Sequence, residues 1–312
     1  MTTLLSFRDN IKTFFGQYDF IVTPVAKGIF AFFMFLMLNK QMGYFAALDN
    51  VLLLLGLACV CAFLPSEMLA GIGCVIVVLH SMKVSIEVGL LAAALVLVFY
   101  CAYMRFAPKT GIIALIVPMC YSLHIVYAIP IVLGMLLGPV AIVPAIFGVV
   151  LYYYQEGLVD VSNMLATATE GEEAVQGYQY IIALLKDNKF MLLTIVVFAC
   201  VILVTYIIYR LSFANSSIVA IVVGGILNVV MFLVGSVTMS VEVELPSVLL
   251  GSFVGILIAL VLQFWKGIVD YQRTEILQFE DDDYYYYVKA VPKMSVSEMN
   301  KSVKHINSKT HN

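Results

Sequence analysis

Hydrophobic stretches separated by short polar turns make up most of the chain between residues 20 and 267. A helix needs about 20 mostly apolar residues to cross the hydrocarbon core of a bilayer. Stretches close to this length predict membrane-spanning helices at 21–38, 50–64, 66–82, 88–106, 190–209, 215–237 and 247–267. The pattern therefore predicts an all-α, polytopic helical membrane protein with eight to ten transmembrane helices.

Residues 110–154 are equally apolar, but prolines interrupt them at four positions: Pro118, Pro130, Pro139 and Pro144. A proline inside a helix removes a backbone donor and clashes with the preceding turn, so we expect broken helices here. The carbonyls that are freed must find partners on neighbouring helices or in water. Two arrangements fit this region: three short crossings, which give ten helices in all, or one crossing and a re-entrant hairpin, which give eight. We favour ten.

The basic residues assign the two sides of the membrane. Under the positive-inside rule, the turns at 105–109, Arg210 and 266–273 face the cytoplasm, together with the N-terminal segment that contains Arg8. The acidic segment 155–188 then forms an outer loop, and both termini are cytoplasmic. We expect a multi-pass protein of the plasma (cell) membrane.

This topology divides the chain into three parts. Residues 1–19 separate apolar and polar residues onto opposite helix faces, which predicts an amphipathic helix in the membrane interface. Residues 20–267 form the transmembrane domain, in which the outer loop 155–188 carries an apolar stripe at helical spacing from 174 to 185. Residues 268–312 form a cytoplasmic tail.

A short sequence match indicates a candidate internal repeat. Ser-Ile-Glu-Val at 85–88 and Ser-Val-Glu-Val at 240–243 each occupy a predicted outer turn before a long helix. With ten helices, the chain would form two parallel four-helix repeats joined by a two-helix linker, and parallel repeats occur in transporters. The alternative is a chance match of four residues.

The composition supports the membrane assignment and excludes other classes of protein. Of the 312 residues, 62% are hydrophobic and 12% are charged, whereas about 25% of the residues of a soluble domain are charged. The net charge of -3 argues against nucleic acid as a partner. All six cysteines lie in apolar stretches and are expected to pack as small apolar side chains. The sequence predicts no metal site and no cofactor.

An ionisable side chain at membrane depth is a candidate functional residue. His124 lies in the middle of the broken region, between Tyr121 and Tyr127. Because imidazole changes its charge near physiological pH, these three residues are candidates for a substrate path or a proton relay. The alternative is a neutral histidine that bonds a carbonyl freed beside Pro118 or Pro130.

Two glutamates add a second candidate feature. Glu87 and Glu242 lie in the two outer turns of the candidate repeat, where they would form a pseudo-symmetric entry site for a cation or proton. Simple solvation of both carboxylates is the alternative. No enzyme is expected, because the sequence lacks the Gly-x-x-x-x-Gly-Lys loop, the His-Glu-x-x-His pattern and the Gly-x-Ser-x-Gly elbow.

The tail contains the segment QFEDDDYYYYVKAVPK at residues 278–293. Stretches rich in β-formers, 273–279 and 284–291, flank the acidic residues, which predicts a β-hairpin or one long strand. Two isolated strands are marginally stable in water, so we expect residues 274–293 to dock a cytoplasmic protein, another copy of the chain or the bilayer surface. The alternative is a spacer without a partner. The candidate docking residues are Asp281, Asp282, Asp283, Tyr284, Tyr285, Tyr286 and Tyr287.

This tail, together with the pattern of spans before it, resembles an uncharacterised family of polytopic membrane proteins of Gram-positive anaerobes. Members of that family end in a similar acidic, four-tyrosine Val-Lys-Ala-Val-Pro-Lys segment, and some carry the label ABC transporter permease. The match is distinctive over residues 273–293. The resemblance implies a multi-pass membrane protein and brings no established activity and no functional residues.

Two classes of function remain from the sequence. In the first, the chain is a transport permease in which broken helices around His124 line a substrate path and the tail docks a partner. In the second, it is a non-catalytic membrane scaffold or anchor subunit of an envelope-assembly or secretion complex. The proline-broken region favours the first, and we adopt it as the working hypothesis.

Overall fold

The structure is a computed structural model that describes residues 2–167, 173–212, 215–266, 275–280 and 285–290. These residues contain twelve α-helices and two β-strands. The helices are α1 (Thr2–Gln17), α2 (Asp19–Met42), α3 (Val51–Phe63), α4 (Ser66–Val84), α5 (Ile86–Phe99), α6 (Ile113–Ser122), α7 (Ile129–Leu136), α8 (Ile142–Thr167), α9 (Glu173–Asp187), α10 (Lys189–Tyr209), α11 (Ser216–Met239) and α12 (Leu245–Lys266). The strands are β1 (Glu275–Glu280) and β2 (Tyr285–Ala290).

Seven of the described helices are long and apolar enough to cross a membrane. They are α2, α4, α5 with the turn after it, α8, α10, α11 and α12. A helix satisfies its backbone hydrogen bonds internally, which lipid cannot do, so continuous apolar runs of this length fold as helices. The chain is therefore an all-α, multi-pass membrane protein, as the sequence predicts.

The shorter helix α3 also connects the two ends of the bundle. Just before it, the N–H groups of Tyr44 and Phe45 both donate to Nδ1 of His80 near the end of α4, at 3.1 Å each. After it, only Leu64 and Pro65 separate α3 from the start of α4. The stretch from Tyr44 to Leu64, which contains α3, therefore runs from one end of α4 to the other. With this stretch added to the seven long helices, we count eight crossing segments among the described residues.

The proline-rich region forms a re-entrant hairpin followed by one crossing. The hydroxyl of Tyr103 is hydrogen-bonded to Thr110 before α6 and donates to the carbonyl of Val140 after α7, at 2.6 Å each. The hairpin thus begins and ends at the same end of the bundle. At a rise of about 1.5 Å per residue, α6 and α7 are about 15 and 12 Å long, against a hydrocarbon core of about 30 Å. The expected count of ten helices is corrected to eight crossings plus this hairpin.

The breaks in this region occur at left-handed residues rather than at every proline. His124 and Gly138 have φ angles of 56° and 68° and end α6 and α7. Pro118 lies inside α6, whereas Pro130 and Pro139 each lie in the first turn of a helix. Proline is tolerated there, because the first N–H groups of a helix have no partner within it.

Two arginines mark one end of the bundle. Arg105 follows α5, and Arg210 follows α10. The hydroxyl of Tyr103, near Arg105, donates to Val140, and Gly138 beside it contacts the ring of Tyr206, one turn before Arg210. The two arginines therefore lie at the same end of the bundle. We call this end the arginine end and the opposite one the glutamate end. The membrane side of each end stays a prediction.

The predicted outer loop 155–188 is mostly helical. Helix α8 continues to Thr167, and α9 packs on it through Ile181, which is completely buried and lies beside Gly157. Gly177 on α9 lies beside Val88 on α5. Ile182, also assigned to the apolar stripe, is 45% exposed. The two helices thus fold back on each other at the glutamate end.

A second compact unit comprises residues 1–19 and 264–312. It contains α1 and an antiparallel hairpin in which β1 pairs with β2, with Phe279 opposite Tyr286. The prediction of a hairpin in the tail is confirmed. The turn residues 281–284 lie outside the described residues.

Candidate functional site

A cavity of about 750 Å³ opens at the glutamate end of the bundle. The tip of the α6–α7 hairpin, α8, the start of α10 and the α11–α12 connection all contribute to its wall. Its polar lining consists of Tyr121, His124, Tyr127, Tyr152, Tyr153, Glu156, Asn188, Glu242, Glu244 and Ser247. A volume between about 300 and 1,000 Å³ is typical of small-molecule sites.

The structure brings four of the five candidate substrate-path residues together in this cavity: His124, Tyr121, Tyr127 and Glu242. The fifth, Glu87, lies outside the lining. It belongs to the first turn of α5, where its carboxylate accepts a hydrogen bond from the Ser85 hydroxyl. Glu242 instead lies in the irregular connection before α12, so the two acids of the candidate repeat have different local structures.

His124 occupies the turn that ends α6. Its N–H donates to the carbonyl of Tyr121 (3.0 Å), and the N–H of Ile125 donates to that of Cys120 (2.9 Å). This pair of bonds is the Schellman motif, whose left-handed position is usually a glycine. For a residue with a Cβ, the left-handed conformation costs about 1–2 kcal/mol. Strain of this kind is concentrated at functional sites. Glycine at this position would adopt the same conformation without strain.

The imidazole of His124 is exposed and lines the cavity. None of the described residues forms a hydrogen bond with it, so the alternative of a histidine bonded to a freed carbonyl does not describe this side chain. Asn228 on α11 takes that role instead: its amide donates to the carbonyl of Tyr127 (3.1 Å). The imidazole is therefore available to a solute or to water.

Tyrosines form one wall of the cavity. Tyr121 stacks on Tyr152, with ring centroids 3.9 Å apart and an interplanar angle of 7°. Tyr153 meets both rings edge-on, at 6.1 and 5.2 Å. Aromatic faces attract cations through the ring quadrupole, especially where water is partly excluded.

Three carboxylates face the same space: Glu156, Glu242 and Glu244. No described lysine or arginine lines the cavity, so its charge is negative even when His124 is protonated. A cleft lined by one sign of charge concentrates ions of the opposite sign. The lining therefore suits a cation.

The negative field extends beyond the lining to α9. The hydroxyl of Tyr180 donates to Asp160 at 3.1 Å. Burial, that hydrogen bond and the nearby carboxylates of Asp160 and Glu156 together raise the pKa of the Tyr180 phenol. The shift has this sign because all three effects disfavour the phenolate.

Below the cavity, the α6–α7 hairpin packs closely against α11 and α12. Gly251 and Gly255 on α12 face Tyr127 and Ala128, and a Cβ at Gly255 would lie 2.7 Å from Cα of Ala128. The amide of Asn228 also donates to the hydroxyl of Ser252 at 2.9 Å. Small residues and one buried amide thus hold the hairpin against α11 and α12.

Sequence reasoning missed Glu156, Glu244 and Asn188. The available signal was the change from apolar residues to Tyr152, Tyr153 and Glu156 within one helix. In the sequence alone, this change indicates the end of a span and the start of a loop. Helix α8 instead continues past this point, and Tyr152, Tyr153 and Glu156 lie on the face of it that lines the cavity.

The candidate docking residues of the tail are described only in part. Tyr286 and Tyr287 lie in β2 and are 38% and 71% exposed. Tyr285 also belongs to β2, whereas Asp281, Asp282, Asp283 and Tyr284 lie outside the described residues. Within the described part of the chain, no group of three His, Cys, Asp or Glu residues could hold a metal ion.

The fold and the site define a multi-pass α-helical membrane protein with an acidic, tyrosine-walled cavity at one end of its bundle. No family model matches the chain, and no curated protein or solved structure is significantly similar to it. Its function is therefore inferred from the chemistry of the cavity and the topology around it.

Proposed function

We propose that the chain is a membrane transport permease that admits a cationic solute through the cavity at the glutamate end. The observation that carries the proposal is the gathering of His124, two tyrosine candidates and Glu242 with two further carboxylates around one open space. A solid bundle would have favoured a scaffold. No catalytic role is proposed, because the sequence lacks the common hydrolase motifs.

The lining supports an organic cation rather than a bare metal ion. The cavity is far larger than an ion needs, and three stacked or edge-packed tyrosines accompany the carboxylates. Aromatic faces with nearby acids recognise ammonium groups. Inorganic cations, by contrast, require a compact set of oxygen ligands.

The topology supports a path rather than a closed binding site. Transporters place their substrate sites at discontinuous helices, where the backbone is irregular only beside a cavity. Here the discontinuity is the tip of the re-entrant hairpin, which carries His124. A shift of this hairpin against α8 and α12 would open or close the inner end of the path.

Choline and its uncharged isostere dimethylbutanol test the proposal. In proteoliposomes, we expect uptake of labelled choline to be inhibited by excess cold choline and not by dimethylbutanol. The rate of choline uptake by the double variant E242Q/E244Q should be lower than that of wild type by a factor of at least about ten, equivalent to about 1.4 kcal/mol. The matched control is Glu87→Gln, which removes an acid that does not line the cavity. Equal uptake by wild type and the double variant would contradict the proposal.

One observation favours the second candidate, a scaffold. The hairpin in the tail exposes Tyr286, Tyr287 and Val288, and two-stranded hairpins are marginally stable without a partner. A docked protein would cover these side chains. This role is compatible with transport, because it uses a different part of the chain.

A further inference from the structure

A second cavity, a groove of about 730 Å³, lies along α3, α4 and the end of α5. On α4 it follows one helix face from Glu67 through Gly71 and Val75 to Leu79. These 12 steps correspond to about 18 Å at 1.5 Å per residue. One leaflet contributes about 15 Å of hydrocarbon, half of the bilayer core. The length of the groove therefore matches one acyl chain.

The groove is amphipathic along its length. Glu67 and Arg105 lie at the arginine end, whereas the side chains beyond them are apolar except for the hydroxyl of Tyr100. Neither charged group forms an ion pair or hydrogen bond with any described residue. Two opposite, unpaired charges beside an apolar channel match a headgroup with a positive and a negative part.

A local distortion of α5 brings Arg105 to the groove. Residues Tyr100–Met104 form a π-helical turn, and the N–H of Arg105 donates to the carbonyl of Tyr100 at 3.1 Å. In this turn, residues five apart stack along the axis, so Arg105 lies beneath Tyr100, which also lines the groove.

We propose that this groove binds a zwitterionic phospholipid with a primary ammonium, a phosphoethanolamine headgroup. The guanidinium of Arg105 receives the phosphate, whose oxygens match its planar fork of donors. The carboxylate of Glu67 receives the ammonium, and one acyl chain lies along α4 past Gly71. No residue of this groove lines the acidic cavity, so the lipid site is independent of the proposed transport function.

Native mass spectrometry of the full chain in detergent tests this site directly. The probes are phosphatidylethanolamine, phosphatidylcholine and phosphatidylglycerol with identical acyl chains, added singly and in equimolar mixture. We expect wild type to retain one phosphatidylethanolamine under conditions that strip the other two. Arg105→Gln should reduce this retention at least about tenfold, equivalent to about 1.4 kcal/mol.

A matched pair of glycine variants separates the groove from general lipid binding. A Cβ at Gly71 or at Gly56 would meet no atom within 4 Å, so both positions accept a larger side chain. Gly71→Phe fills the groove and should abolish retention, whereas Gly56→Phe, on α3 outside the groove, should leave it unchanged. Equal retention by these two variants would overturn the proposal.

The headgroup assignment has its own variant. Glu67→Gln should remove the preference for phosphatidylethanolamine over phosphatidylcholine. Only a primary ammonium can donate hydrogen bonds to the carboxylate, and these bonds lose strength when a neutral amide replaces it. A preference of wild type for phosphatidylglycerol, or equal retention of all three lipids, would overturn it. Size-exclusion profiles identical to wild type establish that each variant is folded.

Discussion

The side-chain amide of Asn228, in the middle of α11, donates a 3.1 Å hydrogen bond to the backbone carbonyl of Tyr127, at the tip of the re-entrant hairpin. Asn228 is completely buried. Pro130, three residues after Tyr127, has no N–H to offer this carbonyl. A side chain from another helix therefore completes the hydrogen bonding of the broken segment.

Replacement of Asn228 by leucine should loosen the hairpin. The carbonyl of Tyr127 and the hydroxyl of Ser252 would both lose the amide, and hydrogen bonds between membrane helices contribute up to about 1.7 kcal/mol. We expect Asn228→Leu to lower the free energy of unfolding by about 1–2 kcal/mol, measured by thermal unfolding in detergent. Ser252→Ala is the control, with a smaller loss because the bond to Tyr127 remains. Equal stability of Asn228→Leu and wild type would contradict a role of the Asn228 amide in holding the hairpin in place.

Alanine at Gly255 and at Gly56 should have opposite effects. At Gly255 the new Cβ would lie 2.7 Å from Cα of Ala128, and overpacking of this kind costs about 1–3 kcal/mol. At Gly56 it would meet nothing within 4 Å, so the higher helix propensity of alanine should stabilise the chain by up to about 1 kcal/mol. Melting temperatures of the two variants measure the difference, and a shift of the same sign in both would count against the close approach.

Glycine at position 124 should separate stability from function. His124 adopts the left-handed conformation with φ of 56°, which glycine adopts without the strain of about 1–2 kcal/mol. His124→Gly is therefore expected to raise the melting temperature while it weakens the uptake of choline. His124→Asn, which also tolerates this conformation, is the second variant. A lower melting temperature for His124→Gly would show that the imidazole has a structural role.

The helices were largely predictable from the sequence, because length and hydrophobicity dictate them. The predicted span 66–82 is the helix Ser66–Val84, and 190–209 is Lys189–Tyr209. The hairpin was only one of two options, because prolines mark where a helix can be interrupted and do not fix where it ends. The helix ends at His124 because this residue adopts the left-handed conformation although it is not glycine. The hydrophobic pattern of the sequence contains no signal for such a residue.

The cavity was predictable in part. His124, Tyr121 and Tyr127 share a segment, so their proximity follows from sequence spacing. Their meeting with Glu156 and Glu244 depends on the tertiary packing of α8 and of the α11–α12 connection. Glu87 is a candidate only because the tetrapeptides at 85–88 and 240–243 are similar. The backbone of Glu87 is helical, whereas that of Glu242 is irregular, so the similarity in sequence does not extend to the local structure.

Deletion of residues 274–293 should separate the tail from the bundle. The hairpin belongs to a compact unit distinct from residues 20–263, so membrane insertion and choline uptake are expected to persist. Proteins that co-purify with the intact chain should be lost. The milder variant Tyr287→Ser, at the most exposed of the described tyrosines, should weaken the same association. Unchanged co-purification in both would remove docking as a role of the hairpin.

Two neighbouring leucines on α12 test whether the acidic cavity holds water. Leu250 is 67% exposed and lines the cavity, whereas Leu249, 54% exposed, does not line it. A residue exposed only to lipid is shielded from a membrane-impermeant maleimide. We expect Leu250→Cys to react with this reagent when it is added outside intact cells, and Leu249→Cys to remain unlabelled. Labelling of Leu250→Cys only from the cytoplasmic side would reverse the predicted orientation, and labelling of neither cysteine from either side would mean that the cavity is closed to water.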